Sequence, residues 1–245
     1  MTNPARARLE ILADPESLAR RAAAWMLGLA TAKKGVFVVA LSGGSTPRGL
    51  YELLAASPCR DTFPWSRTHW FWGDERFVPH DDKQSNYHMV REAMLSHAPA
   101  PGTNIHPVPT EVLSAEAAAS IYEQELKGFY GADDLDPGRP FFDVVLLGLG
   151  ADGHTASLFP DTDVLGVRDR WVAAVIGAKP EARITLTYPA LESSRHAAFL
   201  VAGKEKRDVF SRLRRGDCDL PAARLHPAGE LIWFADEAAA SDVSS

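Results

Sequence analysis

The stretch ALSGGSTPRGLYELLA, residues 40–55, places two adjacent glycines, two hydroxyl residues and a proline between an apolar run and an amphipathic one. The run before it, Val36 to Leu41, is short, continuous and rich in β-branched side chains, which is how a strand covered on both faces reads. After it, Thr46 is positioned to cap a helix whose first residue is Pro47, because proline suits a place where no amide hydrogen is needed. The reading is strand, glycine-rich loop, helix amino terminus. Gly43 and Gly44 allow close approach, Ser45 and Thr46 add hydroxyls, and the unpaired amides of the first helical turn complete an anion site with phosphate as leading guest. A tight turn that binds nothing is the plain alternative, since glycine-rich strand-to-helix turns are common.

The same alternation runs along the chain. Pro15 to Ala32 carries Leu18, Ala22, Trp25, Met26 and Leu29 at helical spacing, and Gly35 restarts the chain into the first strand. THWFWGDE (68–75) reads as a strand, SNYHMVREAML (85–95) and AAASIYEQELKGFY (117–130) as helices, and FFDVVLLGLG (141–150) as the most apolar strand. Further strands are expected at 171–176, 184–189, 196–203 and 231–236, with a helix at 205–215. Such alternation implies an α/β fold, a mostly parallel sheet with helices on both faces, Rossmann-like. The loops at 99–104 and 131–140 are too short for domain linkers, so residues 1–245 are read as one domain, with 1–14 and 237–245 as poorly ordered ends.

Composition bounds the function. Hydrophobic residues make up 46% and charged residues 24% of the 245, ordinary values for a globular chain. A net charge of −6 argues against a nucleic-acid surface and leaves room for a local basic pocket. No stretch reaches the ~18 apolar residues of a membrane span, and the start MTNPARARLE lacks the apolar core of a secretion signal. Cys59 and Cys218 have neither metal-ligand spacing nor disulfide density. A cytoplasmic protein, monomeric or weakly self-associating, is expected, with no metal or organic cofactor and no nucleic-acid or membrane partner.

In open parallel sheets ligands bind beyond the carboxyl ends of the strands, so residues just after strands carry the information. SGGSTP (42–47), GDERFVP (73–79), GLGADGHTASLFP (148–160) and GKEKR (203–207) all follow strands. His154 emerges from a loop with Gly148, Gly150 and Gly153 and is placed to take a proton from water, with Asp152 two residues earlier able to fix its tautomer. Capping of the turn that follows is the alternative. Asp74 and Arg76 lie just past three aromatics, and the Arg76 guanidinium can clamp a phosphate or carboxylate through two parallel hydrogen bonds. Lys206 opens a helix, where a cation opposes the macrodipole, a placement that makes sense if it serves a bound anion.

SGGSTP, WGDERFVP with SNYHMVREAML behind it, LLGLGADGHTASLFP, RITLTYPAL and VAGKEKR, in this order, resemble the 6-phosphogluconolactonase family, which shares its fold with the glucosamine-6-phosphate deaminases. The likeness runs from about residue 35 to residue 235. It implies hydrolysis of 6-phospho-glucono-1,5-lactone to 6-phosphogluconate in the oxidative pentose phosphate pathway, without metal or cofactor. It puts His154 at the position of the family's general base and Arg76, Arg183 and Lys206 at its substrate site. The deaminases are the nearest competitor, but they carry a tyrosine where this chain has Arg76. They also carry a glutamate five residues after the histidine, where this chain has Phe159. A non-catalytic sugar-phosphate sensor is a third reading, and the acidic chain with no helix-turn-helix segment speaks against it. Whether Asp152 or Asp74 orients His154, and which loop takes the phosphate, the sequence leaves open.

Overall fold

The computed structural model describes residues 7–243. In chain order its strands are β1 (Arg8–Leu12), β2 (Phe37–Leu41), β3 (Thr68–Trp72), β4 (Asp74–Arg76), β5 (Phe142–Gly148), β6 (Val172–Val175), β7 (Arg183–Leu186), β8 (Ser194–Val201) and β9 (Glu230–Asp236). The helices are α1 (Pro15–Ala32), α2 (Ser45–Leu54), α3 (Cys59–Thr62), α4 (Asn86–Val90), α5 (Ala115–Tyr130), α6 (Tyr188–Glu192), α7 (Arg207–Arg214) and α8 (Glu237–Ala240). Six strands form a parallel sheet in the order β1-β9-β8-β5-β2-β3, and β4-β7-β6 form a separate antiparallel sheet.

The central strands β2 and β5 are apolar, interrupted in β5 by Asp143, because helices cover both faces, and β2 is buried at every position. From β2 the chain passes to β3 on one side, then returns to β5 on the other, so the strand order reverses between β2 and β5. Their carboxyl ends diverge at that point and open the crevice in which such sheets bind ligands. Asp143 ties the opposite end: buried, it accepts from the Lys33 ammonium at 2.5 Å and from the Val38 main-chain N–H at 2.8 Å. Buried apolar side chains from both sheets and the covering helices join in one hydrophobic cluster.

Several boundaries differ from the sequence reading, each for a local reason. The strand expected over 68–75 breaks at Gly73, whose N–H bonds Leu41 O while its own O accepts from Leu186 N–H, both at 2.8 Å, so β4 leaves the large sheet for the small one. The strand expected over 184–189 ends at Leu186, and α6 starts at Tyr188 with a proline in its first turn. The helix expected over 85–95 is α4 followed by a π-helical turn over Arg91–Leu95. Residues 8–12, expected to be poorly ordered, form the edge strand β1 on β9; its charged side chains suit an edge and hide the strand pattern. The tail likewise begins with α8, capped by the Asp236 carboxylate on Ala239 N–H at 2.8 Å. Residues 1–6 and 244–245 lie outside the described residues.

Candidate active site

β2 delivers the chain to Ser42, and α2 pins it there. The buried Tyr51 hydroxyl accepts from Ser42 N–H at 3.0 Å and donates to Ser42 O at 2.8 Å; burial raises its pKa well beyond the ordinary tyrosine value. The helix starts at Ser45, with Gly44 at the capping position, rather than at Pro47 behind Thr46. Gly44 has φ +109° and ψ 168°, a conformation in practice confined to glycine, and Pro47 still falls in the first turn, where a missing N–H costs nothing. No side chain caps α2, so its first amides are left facing the crevice. Gly43 is bare for a different reason from the one its sequence suggests. A Cβ there would stand 1.9 Å from Oδ1 of Asn86, so a protein side chain fills the space that the sequence reading reserved for a ligand.

β5 delivers His154 through a loop folded onto itself. Gly150 N–H bonds His154 O at 2.8 Å, and a Cβ on Gly150 would come within 2.0 Å of the His154 Nδ1 atom. The imidazole thus packs against bare backbone, with the Phe159 ring tilted against it at 4.7 Å between centroids. Its Nδ1 is hydrogen bonded to the Asp152 carboxylate, which also accepts from the His154 main-chain N–H at 3.1 Å. Burial is the largest single influence and would raise the Asp152 pKa, but the two hydrogen bonds together with the charge of His154 and a main-chain hydrogen bond hold the carboxyl below its ordinary value. Asp152 is therefore the carboxylate on His154. Asp74 is engaged elsewhere, accepting from the Ser157 hydroxyl at 2.7 Å.

The small sheet brings the charges. Asp74 and Arg76 point to one face of β4, and Arg76 stands directly opposite Arg183 on β7. Arg76 donates to Gln84 O at 2.6 Å, while its buried Nε has no partner among the described residues. Burial, and next the charge of Arg76, lower the Arg183 pKa. Glu75 turns the other way into the core, where its carboxylate accepts from the N–H groups of Arg76, Asn86 and Tyr87, each at 2.7 Å, and fastens α4. Beyond β8, Gly203 N–H is held by the buried Asp236 carboxylate at 3.0 Å, which sets Lys206 at the head of α7.

These parts surround one cleft of about 420 Å³. Gly43, Gly44, Ser45, Thr46, Asp74, Arg76, His154, Arg183 and Lys206 all line it; Asp152 alone of the residues singled out by sequence stands behind, against His154. Sequence reasoning missed Asn86, Ser157 and Lys179, which also line the cleft. Lys179, on the β6–β7 hairpin with its ammonium 5.0 Å over the Phe159 ring, lies in a stretch without any spacing signal. Four cations face the cleft against the carboxylates of Asp74 and Glu205, in a chain whose net charge is −6. Among the described residues no cluster of three or more His, Cys, Asp or Glu side chains is arranged to hold a metal. No helix among them is long and apolar enough to cross a membrane.

A glycine loop and a histidine loop meet at the switch point, faced by paired arginines. Residues 13–233 match the family described as Glucosamine-6-phosphate isomerases/6-phosphogluconolactonase. The chain belongs to that family. Within it, a 6-phosphogluconolactonase from Nostoc sp. is 41% identical over 244 residues, 96% of this chain and 98% of its own length. The crystal structure of a 6-phosphogluconolactonase from Thermotoga maritima superposes with a TM-score of 0.78 at 35% identity, covering 94% of this chain and 99% of that one. A monomeric glucosamine-6-phosphate deaminase reaches a TM-score of 0.80 at 22% identity over 96% of this chain and 99% of its own, a likeness of fold.

Proposed function

We propose that this protein hydrolyses 6-phospho-D-glucono-1,5-lactone to 6-phosphogluconate, the second step of the oxidative pentose phosphate pathway, in the cytoplasm. The observation that carries the reading is the packing of His154 between Gly150, Asp152 and Phe159 at the rim of a cationic cleft. With its Nδ1–H donating to the Asp152 carboxylate, the neutral imidazole keeps Nε2 as a lone-pair nitrogen. That nitrogen takes a proton from water as the water adds to C1 of the lactone. The carbonyl oxygen gains charge, met by the amides of Gly43 and Gly44 or by the arginines. Collapse expels the ring oxygen, which recovers the proton from the imidazolium, and the new carboxylic acid loses its own proton to solvent as the product leaves as a carboxylate. General-base help on the order of 10²–10⁴ and oxyanion stabilisation of similar size suffice for an ester already activated toward water. A cationic clamp that includes Lys206 holds the phosphate and orients the ring, so its binding energy appears in the rate as well as in affinity.

Ring opening and C1–C2 proton transfer on an amino sugar need a further proton-relaying group beside the histidine. Here that neighbour is the hydrocarbon ring of Phe159, and this favours the lactonase over the deaminase. The free thiols Cys59 and Cys218 agree with a reducing cytoplasm. The test is an assay of purified protein with fresh 6-phosphogluconolactone beside glucosamine 6-phosphate. Acid release from the first without ammonia from the second is expected. Ammonia release alone would replace this reading with the deaminase, and binding without turnover of either would replace it with a sensor.

A further inference from the structure

Asn86 opens α4 and is only 3% exposed, yet it lines the cleft. Its Nδ2 faces two oxygens of Asp74, the main-chain O at 2.8 Å and the carboxylate Oδ1 at 3.5 Å. Both are acceptors, so only the NH₂ end of the amide can face them, and the chemistry fixes which way the side chain points. Its Oδ1 is thereby turned toward Gly43, against which it packs so closely that no Cβ fits there, and no hydrogen bond among the described residues reaches that oxygen. Asp74 adds a second acceptor. Its Oδ2 accepts a hydrogen bond from the Ser157 hydroxyl at 2.7 Å, whereas among the described residues its Oδ1 has only the long contact to Asn86.

The Asn86 and Asp74 side chains therefore present two acceptor oxygens to a cleft whose charged groups are mostly cationic. A phosphate or a lactone carbonyl brings only acceptors and is not served by such a pair. A hydroxyl donates and is. The Asn86 oxygen is the open atom of a buried residue: it faces the cleft, where solvent serves it until a ligand donor takes that place. We propose that Asn86 Oδ1, with the Asp74 carboxylate beside it, accepts hydrogen bonds from a ring hydroxyl at C2, C3 or C4 of the sugar lactone, making Asn86 a specificity-determining residue. The inference rests on the lactonase reading for the identity of the sugar. It also accounts for the bareness of Gly43, which leaves room for this amide.

The experiment compares wild type and Asn86→Ala on 6-phosphogluconolactone and on its 2-, 3- and 4-deoxy analogues. Asn86→Ala is expected to lower kcat/KM on the parent by about tenfold to a hundredfold, the scale of one buried hydrogen bond. On one deoxy analogue it should cost less than about threefold, because the hydroxyl and its acceptor are then removed together and their effects do not add. The same loss on all four substrates would overturn the proposal and leave Asn86 as a prop for Asp74. Asn86→Ser, which keeps a hydroxyl to donate to the Asp74 carbonyl, is read in the same way should the alanine variant not fold. A wild type inert toward the parent lactone would sink the lactonase reading alone. Calorimetric affinities for the four corresponding 6-phosphogluconates then decide between non-additive and equal losses.

Discussion

The carboxyl edge of the six-stranded sheet gives the cleft bare main chain, a histidine and Lys206, whereas the three-stranded sheet gives it Asp74, two arginines and Lys179. The first set is held from within. Tyr51 fixes the glycine loop, Gly150 and Asp152 fix His154, and Asp236 fixes the turn before Lys206. The second set holds like charges in register, Arg76 against Arg183, a repulsion that the Glu181 carboxylate 3.5 Å from Arg183 and the nearby Asp74 offset in part and a bound anion would offset further. The difference teaches a division of labour: the parallel edge is preorganised for the reaction, and the small sheet is completed by the substrate's charge.

The largest effect that division predicts is at His154. His154→Ala should lower kcat by on the order of 10²–10⁴ with KM little changed, as steady-state kinetics on the phospholactone will show. A variant with wild-type turnover would remove the histidine from the mechanism and with it the first half of the comparison.

Lys206→Ala should weaken kcat/KM for the phospholactone by roughly 2–4 kcal/mol, the range for losing a charge-assisted bond in a partly buried site. Unphosphorylated gluconolactone should be nearly indifferent to the change; equal losses on both would contradict the assignment of Lys206 to the phosphate. Arg183→Ala sharpens the contrast through stability. In wild type, 6-phosphogluconate at a hundred times its Kd should stabilise the fold by about 2.7 kcal/mol, seen as a rise in Tm. At the same ligand concentration most of that rise should vanish in the variant.

How much of this was legible follows the same line. The parallel sheet announces itself, since strands buried on both faces are apolar runs, with Asp143 the one charge in β5, and their loops begin where the runs stop. The histidine and glycine loops could be placed for that reason. β4 is three residues, Asp-Glu-Arg, and no pattern of hydrophobicity marks it; its partner across the small sheet lies more than a hundred residues away. Arg183 was accordingly visible only through family likeness, and Asn86 and Lys179 not at all as site residues. Gly43 and Gly44 looked alike in sequence and differ in the fold. Each substitution by alanine should cost about 1–3 kcal/mol, Gly44→Ala through backbone strain at its φ and Gly43→Ala through displacement of Asn86. Combining Gly43→Ala with Asn86→Ala should recover part of the first loss, because the clashing amide is gone, and Gly44→Ala should gain nothing from the same second change. Identical behaviour of the two glycines in denaturant titrations would show that they share one role.

The smallest effect concerns two carboxylates, one on each side of the comparison, whose pKa values move in opposite directions. Asp152 lies below its ordinary value, since the burial that would raise it is outweighed by the hydrogen bonds and charge of His154 and a main-chain hydrogen bond taken together. A lowered folded pKa contributes stability that is present above the ordinary carboxyl value and is lost as pH falls through the folded one. With its side chain 41% exposed, Asp152 should contribute little, screened by water. Glu75 lies above its ordinary value because burial outweighs the three amides that pull it down. A raised folded pKa gives the reverse: stability fully present below the ordinary value and lost as pH rises through the folded one. The Tm difference between wild type and Asp152→Asn should therefore shrink on acidification, and that between wild type and Glu75→Gln should move toward wild type's disadvantage as pH rises. Curves of Tm against pH for the two pairs decide the matter, and parallel trends in both would mean that the carboxylates share one electrostatic setting after all.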